Sequence, residues 1–208
     1  SVFQGCSKLK NIVIPESVIT LGLGTFYGCT SLETINIPAG VTRIEKDAFR
    51  ETGLVSVEFH ENVTYFGEQA FRDCEALSEI TINAPKFTVE SNTFLNAAAP
   101  FPEMTIYVVN AEMKTYLESM LTQHQKTYMT IIAPSVVETA DEMIEALLNG
   151  EDVVLGSDIK IDPANMSNAY GTTGINVTNG QTIDGGGHTL DIKGAGGTWD
   201  SGINTTGG

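Results

Sequence analysis

Residues 26–41 read Phe26-Tyr27-Gly28-Cys29-Thr30-Ser31-Leu32-Glu33-Thr34-Ile35-Asn36-Ile37-Pro38-Ala39-Gly40-Val41, and the order of residue types in this stretch recurs along the first half of the chain. Phe3, Phe26, Phe49, Phe71 and Phe94 follow one another at spacings of 23, 23, 22 and 23 residues. In the full-length copies, apolar side chains stand three, six, nine and eleven places after the phenylalanine. The third copy lacks one residue between Phe49 and Leu54, which accounts for the spacing of 22. A fixed period of this length means that each repeat is one coil that cannot bury its apolar face alone and must stack on its neighbours. The first half of the chain therefore reads as a solenoid, in which function resides on surfaces.

Within each coil an alternating stretch predicts a strand: Ile12 to Ile14, Ile35 to Ile37, Val57 to Phe59, Ile80 to Ile82 and, after a longer loop holding Ala97 to Pro102, Ile106 to Val108. A period of two turns the outer pair of each triplet inward and the middle residue outward. The outward residues Val13, Asn36, Glu58, Thr81 and Tyr107 then form a column, beside a second column of Asn11, Thr34, Ser56, Glu79 and Thr105. Asn36, Glu58, Thr81 and Tyr107 are the candidate binding residues. Pro15 and Pro38 end two of the strands, and Val18, Val41 and Val63 open the return path. Cys6, Cys29 and Cys74 share one position, three after the phenylalanine, where Thr52 and Ala97 replace them in the other copies. Small residues that interchange in this way predict a column of buried thiols. A Cys6–Cys29 disulfide is the alternative, and it would leave Cys74 unpaired.

These residues resemble the BspA type of leucine-rich repeat, with its F-x-x-C-x-x-L-x-x-I-x-I-P-x-x-V coil, over about the first 110 residues. The resemblance implies a bacterial surface or secreted protein, extracellular in location, with a role in adhesion or recognition. It implies a host or matrix protein, or a surface glycan, as partner.

After Val109 the pattern becomes helical, with Met113, Tyr116, Leu117, Met120 and Leu121 at helical spacing. This helix and a short strand from Tyr128 to Ile132 are expected to cap the solenoid, whose end would otherwise expose unpaired edges and apolar faces. Composition then shifts near Pro134, which predicts two domains, 1–133 and 134–208. In the second, a helix from Thr139 to Leu148 carries a capping box through Glu142 and stops at Asn149-Gly150, with Met143, Ile144, Leu147 and Leu148 as its apolar face. Short strands follow at 153–155, 159–161, 174–177, 181–183 and 188–192. The order of a helix, Val153-Val154-Leu155-Gly156-Ser157-Asp158-Ile159-Lys160-Ile161 and a Gly-Gln-Thr-Ile-Asp-Gly-Gly-Gly-His-Thr-Leu-Asp-Ile run at 180–192 resembles the opening of a pectate-lyase-like right-handed parallel β-helix. That resemblance implies a fold and no activity, since the family's catalytic residues come from later coils. The predicted class is mainly β: a leucine-rich-repeat solenoid with a C-terminal capping helix, then a truncated β-helix-like domain opened by a short helix. The sequence begins inside a repeat and stops after one or two β-helix-like coils, so the native protein is expected to extend further.

Charge narrows the partners. The formal net charge is −15, with 9 basic against 15 acidic residues through Ile132 and 2 against 11 after it. No basic stripe interrupts this, so nucleic acid and anionic lipid surfaces are not expected partners, and no run of eighteen apolar residues predicts membrane insertion. No catalytic pattern emerges. Gly185-Gly186-Gly187 lacks the following Lys-Ser/Thr of a phosphate loop and reads as turn glycines. His60, His124 and His188 lie in no metal-ligand spacing. Asp158, Asp162, Asp184, Asp191 and Asp200 are oxygen donors of the kind calcium takes, but His188 stands where the calcium-binding β-roll repeat needs glycine. There is no G-x-S-x-G, and sequence alone cannot pair two carboxylates for glycoside hydrolysis. The chain is thus expected to be non-enzymatic, without cofactor or metal, with self-association through an open glycine-rich edge as a further expectation. Two alternatives stay open: a targeting segment and N-terminal part of a carbohydrate-active β-helix enzyme, polysaccharide lyase or hydrolase, with its catalytic coils beyond residue 208, and a structural spacer.

Overall fold

The computed structural model describes residues 1–97, 103–155, 159–161, 175–178, 183–184, 190–192 and 203–206. In chain order the elements are β1 (Thr20–Leu21), β2 (Arg43–Ile44), β3 (Ser56–Phe59), β4 (Tyr65–Phe66), β5 (Glu79–Ile82), β6 (Thr88–Val89), β7 (Met104–Val108), α1 (Ala111–Met120), β8 (Met129–Ile132), β9 (Ser135–Val137), α2 (Ala140–Leu148), β10 (Val153–Leu155), β11 (Ile159–Ile161), β12 (Ile175–Thr178), β13 (Ile183–Asp184), β14 (Leu190–Ile192) and β15 (Ile203–Thr206). A 3-10 turn spans Gln125–Thr127. The chain divides into two compact units, Ser1–Ala133 and Pro134–Gly208.

In the first unit the five repeat phenylalanines form one ladder. Phe3, Phe26, Phe49, Phe71 and Phe94 stack ring on ring at centroid distances of 5.5, 5.5, 5.4 and 5.7 Å, with interplanar angles of 3°, 13°, 11° and 10°. These are near-parallel stacks within the favoured centroid range. Phe26, Phe49, Phe71 and Phe94 are buried and Phe3, in the first rung, is half-buried. Phe59 meets Phe49, Phe66 and Phe71 edge to face or nearly so, which ties the strand side of the coil to the ladder.

A left-handed residue stands two places before and two places after the phenylalanine. The positions before are Gly24, Asp47, Gln69 and Asn92, and those after are Gly5, Gly28, Glu51, Asp73 and Asn96, all with φ between 54° and 75°. Each such pair turns the backbone sharply around the ring. Glycine takes this conformation without cost, and Asn and Asp tolerate it better than most residues.

Parallel ladders run along two sides of the coil. β1, β2, β4 and β6 pair in that order, with Leu21, Ile44, Phe66 and Val89 inward and in register. β3, β5, β7 and β8 form the second sheet, with Glu58 opposite Thr81, Thr81 opposite Tyr107 and Tyr107 opposite Ile132. Alternation is as expected: Val57, Phe59, Ile80, Ile82, Ile106 and Val108 are buried.

The strands expected at Ile12–Ile14 and Ile35–Ile37 do not form, although Ile14 and Ile37 point inward and Val13 and Asn36 outward. Pro15 and Pro38 supply a reason. In the later rungs Asn83 N–H donates to the Phe59 carbonyl at 2.9 Å, extending the ladder, whereas Pro38 occupies the equivalent place and has no N–H to give to Ile14. Proline also restricts the residue before it.

The thiol column is buried only in part. Cys29 and Cys74 are fully buried, and each S–H donates to the carbonyl of the preceding rung's phenylalanine, Phe3 at 3.1 Å and Phe49 at 2.9 Å. Thr52 holds the same corner, its hydroxyl 2.8 Å from the Phe49 carbonyl and 3.3 Å from Cys74 Sγ. Cys6 corrects the expectation: it is exposed, without the bond to a neighbouring rung's phenylalanine carbonyl that Cys29 and Cys74 make. All three thiols are free.

At the other end of the unit, side chains meet the last rung's open backbone groups. Tyr116 Oη accepts from Val89 N–H at 3.0 Å and approaches the Val89 carbonyl at 3.4 Å, on the outer strand β6. Gln125 Nε2 donates to the Phe94 carbonyl at 3.3 Å and Asn110 Nδ2 to that of Pro85 at 2.9 Å. Met113, Leu117 and Leu121 are buried, and Met120, expected among them, is exposed.

In the second unit α2 begins with the predicted capping box, Thr139 Oγ1 accepting from Glu142 N–H while the Glu142 carboxylate accepts from Thr139 N–H. The backbone N–H of Glu138, with that of Thr139, holds the Glu142 carboxyl below the usual range. Met143, Ile144, Ala146 and Leu147 are buried. Leu148, placed on the apolar face by its spacing, is exposed in the helix's last position. The strands pair in parallel, β9 with β10 and β10 with β13, β11 with β14, and β12 with β15. β9 and β15 were not foreseen. Gly185 to His188, Asp158, Asp162 and Asp200 lie outside the described residues, as does most of the Ala97–Pro102 loop.

Two outcomes check this architecture. Phe49→Ala removes the central ring of the ladder and is expected to cost about 3 to 5 kcal/mol in denaturant unfolding; an unchanged unfolding midpoint would contradict the stack. Burial pushes the Cys74 thiol up to about 11 and also raises that of Cys29, so Ellman's reagent at neutral pH is expected to titrate one thiol, Cys6, in the folded chain. In denaturant all three should react.

Candidate functional site

The strand face of the first unit carries the predicted outward column, and the structure places its members in two settings. Glu58, Thr81 and Tyr107 lie in adjacent positions of one hydrogen-bonded sheet. Asn36 is exposed on the preceding rung, outside any ladder. Glu58 Oε1 accepts from Asn83 Nδ2 at 2.8 Å, which fixes the carboxylate on the face. Ile132 of β8 continues the column beyond Tyr107, a residue that the repeat pattern did not reach.

Where the ladder is missing the face opens. A groove of about 440 Å³ is lined by Asn11, Ile12, Thr34, Ile35, Asn36, Ser56, Val57, Glu58 and His60, from three successive rungs. Its apolar members are Ile12, Ile35 and Val57, and its exposed polar members are Asn11, Thr34, Asn36, Ser56 and Glu58. No backbone hydrogen bond joins residues 34–37 to residues 11–14 or to β3. Bonds resume on either side: Val55 N–H donates to the Glu33 carbonyl at 3.0 Å before the groove, and Thr64 N–H to that of Thr42 at 2.9 Å after it.

Gly53 sets the near end. It donates to the Cys29 carbonyl at 3.3 Å, and a Cβ there would overlap the Thr30 carbonyl oxygen. This close approach falls in the rung shortened by one residue between Phe49 and Leu54.

Several charged groups elsewhere in the unit are engaged internally. Arg50 lies 3.3 Å from Glu51, 3.6 Å from Asp47 and 3.9 Å from Asp73, with its guanidinium 5.0 Å from the Tyr27 ring centroid. Arg43 sits 3.9 Å over the Tyr65 ring and pairs with Glu45, and Lys46 pairs with Glu68 at 2.6 Å. Burial raises the Tyr65 hydroxyl above its ordinary range, with Glu90 adding to the effect. The groove, by contrast, holds hydroxyl, amide and carboxylate groups and the His60 imidazole, and no lysine or arginine. Among the described residues no group of acidic, histidine and cysteine side chains could hold a metal ion.

Gly53→Ala forces either rung to move and is expected to lower stability by about 1 to 3 kcal/mol, measured by thermal unfolding. A neutral result would mean that the two rungs are not in contact at Thr30.

No curated protein matches the chain. A solved structure, a leucine-rich repeat protein from Bacteroides ovatus ATCC 8483, is similar at 16% identity over 97% of this chain and 67% of that one, with a TM-score of 0.29. The family described as "BspA type leucine rich repeat region (6 copies)" matches residues 1–117, more than half of the sequence. With its phenylalanine ladder and repeated coil, the chain belongs to the BspA-type leucine-rich-repeat family.

Proposed function

We propose that the chain is a recognition module of a secreted or cell-surface protein, binding a host or matrix protein or a surface glycan through the strand face of its solenoid. The observation that carries this reading is the groove that opens on that face, beside the column of Asn36, Glu58, Thr81 and Tyr107. Membership of a repeat family often found in surface proteins supports the location, and no helix among the described residues is long and apolar enough to cross a membrane. Binding by a broad face needs no catalytic group and depends on matched shape and polarity. The segment from Ala111 to Ile132 acts as the cap of the solenoid, supported by the bonds of Tyr116 and Gln125 to the last rung.

A second reading concerns residues 134–208. Val153 opposite Ile183, Ile159 opposite Leu190 and Ile175 opposite Ile203 give three parallel ladders with similar sequence offsets, an arrangement that favours a β-helix-like unit. On that reading the chain is the targeting and N-terminal part of a carbohydrate-active enzyme.

Arrays of glycans and extracellular-matrix proteins, probed with the purified chain and with Glu58→Arg and Asn36→Ala/Tyr107→Ala variants, separate the possibilities. The recognition reading expects a bound class whose signal falls about tenfold or more in the variants, a loss near 1.4 kcal/mol. Binding indifferent to all three substitutions, or no binding, would overturn it. Depolymerisation of a bound polysaccharide by the full-length protein would favour the enzyme.

A further inference from the structure

The corner of the first two rungs brings two thiols together. Cys6 and Cys29 hold the same place, three residues after the stacked Phe3 and Phe26, whose ring centroids lie 5.5 Å apart. Cys29 Sγ donates to the Phe3 carbonyl at 3.1 Å, so it points back across the gap toward the rung of Cys6. The same carbonyl accepts from the Cys6 N–H at 3.1 Å. One oxygen therefore lies against both residues. The backbones beside them are also in contact, since a Cβ added at Gly28 would stand 3.6 Å from Gly5 Cα. Rungs this close satisfy the separation of roughly 4.4 to 6.8 Å between Cα atoms that a disulfide spans.

The Thr52 corner shows how far a side chain at the Cys6 position reaches. There Thr52 Oγ1 lies 3.3 Å from Cys74 Sγ, and both meet the Phe49 carbonyl, at 2.8 and 2.9 Å. The two corners have matching backbones. Phe3 N–H donates to the Thr25 carbonyl at 2.9 Å and Gly5 N–H to that of Tyr27 at 2.7 Å, while Phe49 N–H donates to Ala70 and Glu51 N–H to Arg72, both at 2.9 Å. A sulfur at Cys6 in the Thr52 rotamer is thus in contact with Cys29 Sγ, and a disulfide requires the pair to close to about 2.05 Å. The carbon–sulfur bond, longer than the carbon–oxygen bond of threonine, covers part of that difference. Cys74 has no such counterpart, because Thr52 precedes it and Ala97 follows it in the column.

We propose that Cys6 and Cys29 are a redox pair whose disulfide clamps the first rung onto the second. Cys6 is exposed and is the thiol that an oxidant meets, whereas Cys29 is buried. As a thiolate, Cys6 attacks a small-molecule disulfide such as glutathione disulfide, whose S–S bond breaks as a mixed disulfide forms and one glutathione leaves. Opening of the first rung then lets the Cys29 thiolate attack the Cys6 sulfur and expel the second glutathione. Two protein thiols lose two electrons, one glutathione disulfide is reduced to two thiols, and the two cysteine protons end on the departing sulfurs. Cys29 gives up its bond to the Phe3 carbonyl, which keeps the Cys6 N–H as donor. Nothing in this pairing depends on what the strand face binds.

Incubation of the folded whole chain with glutathione disulfide, followed by alkylation and peptide mass mapping without reductant, tests the pair. The expected product is a monomer in which the Cys6 and Cys29 peptides are joined, so that denaturation exposes only the Cys74 thiol. Hydrogen exchange at the Phe3 and Gly5 amides, which bridge the two rungs, should slow about tenfold or more and return to its former rate with dithiothreitol. Cys6→Thr and Cys29→Thr, each installing the residue that the repeat uses at Thr52, should each abolish the joined product and the slowed exchange. Glutathione retained on Cys6, a dimer linked through Cys6, or a joined pair whose Phe3 and Gly5 amides exchange as before would overturn the proposal.

Discussion

Ring stacking is the constraint on which the first unit depends. Five phenylalanines at 5.4 to 5.7 Å hold successive rungs at a common spacing, and Phe59 and Phe66 pack edgewise against the same column. Each buried ring contributes roughly 1.5 to 3 kcal/mol of apolar burial, and offset stacking adds about 0.5 to 1.5 kcal/mol per pair. Cohesion is thereby placed on the corner side of the coil. The strand side is left free to vary in how fully its ladder forms.

The corners explain why the ring position accepts so little change around it. Left-handed residues two places before and two places after the phenylalanine bend the backbone so that the N–H groups of one rung meet the carbonyls of the next. Cys29, Thr52 and Cys74 occupy that corner because each brings a short donor to a phenylalanine carbonyl. Thr and Cys interchange here for hydrogen bonding as well as size. Ala97 keeps the size and gives up the bond.

Much of this was legible in the residues. The phenylalanine period announced the ladder, alternation in Val57 to Phe59 and Ile80 to Ile82 announced their inward faces, and Thr139 with Glu142 announced the start of α2. The left-handed corners were missed even though Gly24, Gly28, Asp73, Asn92 and Asn96 are residue types suited to them; Gln69 and Glu51, which are not, obscured the pattern. The side chains that meet the last rung were invisible for a different reason. Tyr116 and Gln125 act across 27 and 31 residues, and no local periodicity encodes such a bond. Of the candidate site, the outward column was readable, but the groove was not, because it arises where an expected ladder fails to form.

That failure has an energetic logic. A backbone hydrogen bond exposed to water contributes only about 0.5 to 1.5 kcal/mol net, because solvent satisfies the same groups when it is absent. Leaving Asn11, Val13, Thr34 and Asn36 outside a ladder therefore costs little, because these residues are exposed. The same omission in the Phe49 corner would strand buried carbonyls, and there every one of the corner carbonyls of Phe3, Phe49 and Phe94 finds a donor. Pro15 is exposed, where a missing donor is tolerated, whereas Pro38 is buried. The coil thus keeps its corner bonds where water cannot reach and dispenses with ladder bonds mainly where water satisfies the same groups.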